Sequence, residues 1–123
     1  MHPFPPASEL QFLVGLEVGQ IRLDPWSTQF CFADGGRITV EGPFDHLDAE
    51  GQLHSHHAKE GQDRGPVFFR DLIQQQITLV ESEPGRLTLM FGNGARLRLL
   101  SEETPYESCQ IYPPGRQDQP IIF

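Results

Sequence analysis

The sequence predicts one mainly β domain, with one or two short helices and two related antiparallel β-meander units. Eleven prolines and twelve glycines among 123 residues indicate many turns. Two stretches of alternating apolar residues, 30–40 and 89–99, each surround a turn dipeptide, Asp34-Gly35 or Asn93-Gly94. These hairpin patterns favour strands, and we expect the two units to form one sheet, a two-layer structure or a partly open barrel.

The relation between the two units is visible as an internal repeat. A shift of 59 positions aligns residues 13–40 with residues 72–99 without a gap. Identical pairs lie at turns and in the apolar pattern: Leu13 and Leu72, Pro25 and Pro84, Phe32 and Phe91, Gly35 and Gly94, and Arg37 and Arg96. Matches at turn and core positions predict a duplicated three-strand unit, with its copies related by a pseudo-twofold axis.

The first unit follows a proline-rich segment, residues 1–7, which we expect to be a loosely held tail. Residues 8–14 have helical spacing, with Ser8 as the expected N-cap. A strand is predicted over 17–23, and a change of apolar phase within it indicates a bulge.

The hairpin of the first unit is predicted from period-two alternation. Residues 26–33 alternate in polarity, which places Trp26 on the same face as the buried phenylalanines. Asp34-Gly35 predicts a two-residue turn of the primed type, with positive φ at both positions. The returning strand is expected over 37–41.

The second unit is expected to begin with a short helix over 66–76. Its buried face would contain four apolar residues: Phe68, Phe69, Leu72 and Ile73. After the second hairpin, 106–112 is the last clear strand candidate, and 121–123 forms a short apolar terminus. The whole chain, 1–123, is expected to be one domain.

Between the two units, residues 42–66 are polar and contain four of the five histidines. We expect a long surface loop, because such a segment offers few apolar residues for a core. His46 is accordingly expected at the surface.

The most specific chemical pattern in this loop is His54-x-His56 followed by Glu60. Two imidazoles on one side of an extended chain, with a carboxylate nearby, could provide three metal ligands. The spacing resembles the first metal motif of the cupins. This chain departs from that motif, because Asp48 and Val67 stand where cupins have glycine and no histidine follows His57. A solvated loop without metal is the alternative interpretation.

No catalytic motif is present in the sequence. There is no Gly-x-Ser-x-Gly pattern, and neither Cys31 nor Cys109 has a histidine at suggestive spacing. We therefore expect no cofactor and lean towards a protein that is not an enzyme. Aromatic residues are common interface anchors, so the candidate interaction residues are Trp26 and the neighbouring pair Tyr106 and Glu107.

The charge limits the partners that the chain would accept. Nine basic and seventeen acidic residues give a net charge of −8. This charge disfavours nucleic acid and anionic membranes and suits a basic protein partner. No apolar run is long enough to span a membrane, and no signal peptide is recognisable, so a cytoplasmic location with reduced cysteines is expected. A homodimer formed by pairing of exposed hairpin edges is a further hypothesis.

Taken together, five segments resemble a family of small uncharacterised bacterial β proteins. They are Leu16–Leu23, Phe32–Gly35, Gly85–Gly94, Tyr106-Glu107 and Pro114-Gly115. That family usually has a tryptophan near the position of Cys109, and it has no established activity. Small acidic β proteins of this type are similar to immunity proteins, which cover the active site of a bacterial toxin. The resemblance therefore implies a non-enzymatic interaction protein, and a metal-dependent binder or enzyme is the alternative.

Overall fold

A computed structural model describes residues 3–57, 68–101, 109–115 and 120–122. These residues form two short 3-10 helices, Ala7–Leu13 and Phe69–Leu72, and ten strands. In chain order the strands are β1 (Val18–Leu23), β2 (Thr28–Phe32), β3 (Arg37–Val40), β4 (Pro43–Leu47), β5 (Leu53–His57), β6 (Ile77–Glu83), β7 (Arg86–Phe91), β8 (Arg96–Leu100), β9 (Cys109–Tyr112) and β10 (Ile121–Ile122).

The strands form two antiparallel sheets of five strands each, which confirms the predicted mainly β fold. The first sheet has the order β1-β2-β3-β9-β10, and the second has the order β5-β4-β8-β7-β6. Inward side chains from both sheets and both 3-10 helices belong to one continuous apolar core. Phe30 of the first sheet meets Phe44 of the second edge to face, with 6.0 Å between ring centroids.

The three-strand units recur at the 59-residue offset in detail. The bulge lies between Val18 and Gln20 in β1 and between Ile77 and Leu79 in β6. The units meet at a bridge between Glu17 and Gln76, which are themselves 59 positions apart. Four backbone hydrogen bonds join them as two equivalent pairs: Gly15 N–H to Ile77 O with Gln74 N–H to Val18 O, and Val18 N–H to Gln75 O with Ile77 N–H to Leu16 O. The contact therefore has pseudo-twofold symmetry.

Each unit is completed by a hairpin that crosses to the opposite sheet. β4 and β5 follow the first unit in the chain, yet β4 pairs with β8 of the second sheet. β9 and β10 follow the second unit, and β9 pairs with β3 of the first sheet. The two halves of the chain are thus interlocked, and each sheet contains strands from both halves.

The hairpin turns are longer than the sequence suggested. Gly35 has a φ of 106°, whereas Asp34 has no positive φ. Gly35 N–H donates to Phe32 O, and Phe32 N–H donates to Gly36 O. This geometry is a three-residue loop in which one left-handed glycine follows a type I turn, and the same bonds recur 59 residues later at Phe91. The predicted two-residue primed turn is therefore wrong.

The predicted loop over 42–66 is also wrong where the structure describes it. Residues 43–57 form the β4–β5 hairpin, because Phe44 and His46 alternate with outward residues and fill the core. Residues 58–67 lie outside the described part of the chain.

Three smaller predictions fail at the ends of elements. Pro6, rather than Ser8, precedes the first 3-10 helix, and no side chain caps that helix. The second helix spans only Phe69–Leu72, with Phe68 exposed. The proline-rich tail is held in place, because Phe4 is buried and its N–H donates to Pro84 O at 3.2 Å.

Candidate functional site

The most unusual buried residue is His46, which has no exposed surface. Its position on β4 points it inward beside Phe44, between the second sheet and the second 3-10 helix. His46 Nε2 lies 2.9 Å from Asp71 Oδ1 on that helix. Asp71 Oδ2 accepts a second hydrogen bond from Ala49 N–H at 3.0 Å. The pair therefore ties β4 and the β4–β5 turn to the helix.

A second imidazole–carboxylate pair lies beside the first. His54 Nε2 is 3.0 Å from Asp48 Oδ2, and the His54 and His46 rings stack with centroids 5.6 Å apart. Asp48 Oδ1 also accepts the N–H groups of Glu50 and Gln52, which fixes the β4–β5 turn. Asp48 is thus a turn residue that also orients His54.

Aromatic rings enclose this histidine cluster, which we define as His46, His54 and His56. His56 stacks on Phe44 with centroids 5.0 Å apart, and it meets Phe69 edge to face. Phe68 lies against His54 with centroids 4.5 Å apart. The three imidazoles consequently form part of the packed interior edge of the second sheet.

The electrostatics keep His46 neutral at pH 7. Burial lowers the pKa of His46, and the Asp71 carboxylate opposes this shift without reversing it. Because Asp71 accepts, the neutral ring carries its proton on Nε2. His46 Nδ1 is then an enclosed acceptor, with no hydrogen-bond partner among the residues that the structure describes. The hydrogen bond from His54 lowers the pKa of Asp48.

Two of the three candidate metal ligands, His54 and His56, can be placed in the structure. His54 and His56 share the inward face of β5, as the spacing predicted, and Glu60 lies outside the described residues. Within residues 3–57, 68–101, 109–115 and 120–122, no group of three or more His, Cys, Asp or Glu side chains could hold a metal ion. His54 is directed to Asp48 instead.

Of the candidate interaction residues, only Trp26 can be placed. It lies in the β1–β2 turn with 66% of its surface exposed, so its predicted place on the buried face of the strand is wrong. Tyr106 and Glu107 lie outside the described residues. Both cysteines are free, and burial raises the pKa of the Cys109 thiol.

The outward face of the second sheet carries a feature that the sequence did not reveal. Five cross-strand neighbours form one line perpendicular to the strands, which we call the outer row: Leu79, Met90, Arg96, Leu47 and Leu53. Four of its members are apolar. Leu79 and Leu53, at its two ends, are 46% and 56% exposed.

The equivalent line of the first sheet is different. The same register positions there carry Gln20, Cys31, Arg37 and Tyr112. The Arg37 guanidinium lies 3.9 Å from the centroid of the Tyr112 ring. In the second sheet, Leu47 takes the place of Tyr112. At these four positions, aliphatic and methionine side chains flank the arginine only in the second sheet.

Sequence reasoning missed His46 and the outer row for different reasons. The alternation from Pro43 to Leu47 is a strand signal that could have placed His46 inward, but the surrounding polar residues obscured it. The outer row unites β4 and β5 with β6–β8, and nothing in the sequence indicated that the first half of the chain crosses to the second sheet.

No protein-family model matches the chain, and no curated protein or solved structure shows significant similarity to it. In the described parts of the chain, neither helix has the length or the apolar character needed to cross a bilayer.

Proposed function

We propose that this protein is a non-enzymatic interaction module that binds a protein partner through the outer row of its second sheet. The carrying observation is the line of four apolar side chains around Arg96 on one of two related sheets, exposed at Leu79 and Leu53 and half-buried at Met90 and Leu47. Exposed apolar residues that are contiguous, and not scattered, are typical of interaction surfaces. Singly exposed residues such as Ile122 carry no such argument.

The outer row is suited to binding by its position. It crosses all five strands of the second sheet, so the backbone hydrogen bonds of the sheet hold its side chains in fixed register. A rigid surface loses little conformational entropy when it binds. The histidine cluster lies on the opposite, inward face and supports the β4–β5 hairpin that contributes Leu47 and Leu53.

From the resemblance to uncharacterised bacterial β proteins, we further propose that the module is an immunity-like inhibitor. It would act by covering the active site of its partner. The net charge of −8 favours a partner that is basic overall, through long-range attraction.

The test is affinity capture with three baits made from the full chain: wild type, Leu53→Gln/Leu79→Gln and Ile122→Gln. Ile122 is a matched control, because it is an exposed apolar residue on an edge strand of the other sheet. A partner identified with wild type is then purified, and its affinity for each variant is measured by calorimetry. We expect Ile122→Gln to bind like wild type, and the double variant to bind at least about tenfold more weakly.

Equal affinity of all three baits for the purified partner would overturn the proposal. So would the failure of wild type to retain any protein that the double variant does not.

A further inference from the structure

Arg96, at the centre of the outer row, carries a charge that has no ion-pair partner in the part of the chain that the structure describes. Its cross-strand neighbours are Met90 and Leu47, both apolar. Among the described residues, no carboxylate forms an ion pair with it. Arg98, two positions along β8, has a carboxylate residue as its neighbour in the sheet, because Asp45 stands opposite it on β4, although no ion pair joins the two.

The first sheet shows what this arginine lacks. Arg37 occupies the equivalent position, and its guanidinium is stacked on Tyr112 at 3.9 Å. Arg37 therefore has a favourable cation–π contact within its own chain. Leu47 in place of Tyr112 removes the ring from the second sheet, so the Arg96 guanidinium remains available to an external group.

Self-association centred on the outer row would bring like charges together. Consider two copies packed face to face through their second sheets, with a twofold axis between them. If the axis lies over the outer row, it places Arg96 against Arg96 of the other copy. An axis displaced by one residue towards the carboxyl end of β8, which is half the spacing between outward rows, places Arg96 against Arg98. Both arrangements oppose guanidinium groups in an interface that excludes water, which is unfavourable. The charge pattern thus favours a different partner with a carboxylate at this point.

The spacing of the outer row fits an α-helix. Neighbouring strands lie about 4.8 Å apart, so the row spans roughly 19 Å. Four turns of helix present one residue per turn over about 22 Å. An extended segment lying along the row would present its side chains about 6.8 Å apart, or roughly 27 Å over the same five contacts.

We propose that the outer row binds an amphipathic helix of another protein, with two apolar residues on either side of a central carboxylate that pairs with Arg96. This inference rests on the proposed function and specifies its partner. The apolar residues would contact Leu79, Met90, Leu47 and Leu53, which flank Arg96 symmetrically.

The experiment uses two hydrocarbon-stapled helical peptides of fifteen positions. Both carry leucine at positions one, five, twelve and fifteen, and position eight is glutamate in one peptide and lysine in the other. Each is titrated into the ¹⁵N-labelled full chain at about 150 mM salt, which screens the net charge of the protein. Amide shifts locate the site and give the affinity. The variants Arg96→Glu and, as the matched control on the first sheet, Arg37→Glu are titrated in the same way.

We expect the glutamate peptide to shift amides of β4–β8 and to bind about five- to tenfold more tightly than the lysine peptide. Arg96→Glu should reverse this preference, and Arg37→Glu should leave it unchanged. Equal binding of the two peptides, or no shift along the outer row, would overturn the inference. A dimer in sedimentation that Leu53→Gln/Leu79→Gln abolishes would overturn it in favour of a second copy.

These outcomes are separable from the test of the proposed function. If affinity capture succeeds and the two peptides bind equally or not at all, the outer row remains the proposed binding surface, and the proposal of an acid-centred helical partner is wrong. If capture fails and the glutamate peptide still binds the outer row with the expected preference, the proposed function is overturned and the acid-centred helix site is supported.

Discussion

His46 and Ile111 occupy equivalent positions in the two sheets. His46 lies opposite Leu97 of β8, and Ile111 lies opposite Ile38 of β3 in the same register. Both are fully buried, and Leu97 and Ile38 are themselves 59 positions apart. The same comparison places Asp71 at the position of Phe12 in the first 3-10 helix. A polar pair in one half of the molecule therefore stands where the other half has two apolar side chains.

The first prediction concerns this replacement. The variant His46→Ile/Asp71→Phe copies the apolar pair of the first half, and we expect it to be as stable as wild type or more stable by about 1–4 kcal/mol. The reason is that a buried polar pair must recover the cost of leaving water, which apolar side chains avoid. His46→Ile alone should destabilise by about 1–3 kcal/mol, because it leaves a half-buried carboxylate without its partner. Urea denaturation of wild type, His46→Ile, Asp71→Phe and the double variant measures these differences, and additive effects of the two single substitutions would contradict the coupling between the residues.

The second prediction is the pH dependence that follows from His46. Its pKa in the folded state is below the ordinary value of 6.5, because burial disfavours the charged ring. Just below neutral pH the unfolded chain therefore binds more protons than the folded chain, and the free energy of unfolding falls as the pH drops through 6.5. Asp71, His54 and Asp48 all act on this ring. Between pH 7 and pH 5, the free energy of unfolding of the double variant His46→Ile/Asp71→Phe should depend much less on pH than that of wild type. An unchanged pH dependence would show that other groups cause it.

The third prediction concerns a backbone position shared by the two units. Gly15 has a φ of 94°, and its equivalent, Gln74, has a φ of 69°. A residue with a Cβ is strained in this conformation by about 1–2 kcal/mol. We expect Gln74→Gly to stabilise by up to about 1 kcal/mol, after allowing for the greater freedom of glycine in the unfolded chain. Gly15→Ala should destabilise by a similar amount although no atom lies within 4 Å of its Cβ. Thermal denaturation would refute this account if both substitutions changed the stability in the same direction.

The sequence predicted most accurately what lies within each unit and least accurately what passes between them. The strands predicted over 17–23 and 37–41 match β1 and β3 to within one residue, because alternation and turn residues act over a few neighbouring positions. The β4–β5 hairpin was missed because its inward positions carry His46, His54 and His56, which resemble a solvated segment until Phe44, Phe69 and two carboxylates surround them. The crossing of β4 to β8 depends on contacts about 50 residues apart in the chain, which no local pattern encodes.

The fourth prediction tests a close contact between the halves. A Cβ on Gly36 would lie 2.8 Å from Tyr112 O and 2.8 Å from Pro114 Cδ. We expect Gly36→Ala to destabilise by about 1–3 kcal/mol, because the β9 turn must move to admit the methyl group. Gly19→Ala is the control, since its nearest contact would be an ordinary 3.5 Å to Ala33 and its equivalent is already Thr78. Comparable losses of stability for the two variants in guanidinium denaturation would contradict the assignment.

The last prediction concerns the amino-terminal segment, whose sequence suggested a loose tail. Phe4 is only 6% exposed, its N–H donates to Pro84 O, and Pro5 O accepts the Ser82 hydroxyl at 2.6 Å. The segment therefore closes the end of the core beside the β6–β7 turn. Phe4→Ala should cost about 3–5 kcal/mol, through lost burial and the cavity that remains. Trp26→Ala, at the equivalent turn of the first unit but 66% exposed, should change stability by less than about 0.5 kcal/mol. If the two substitutions cost the same in urea denaturation, Phe4 is not part of the core in solution.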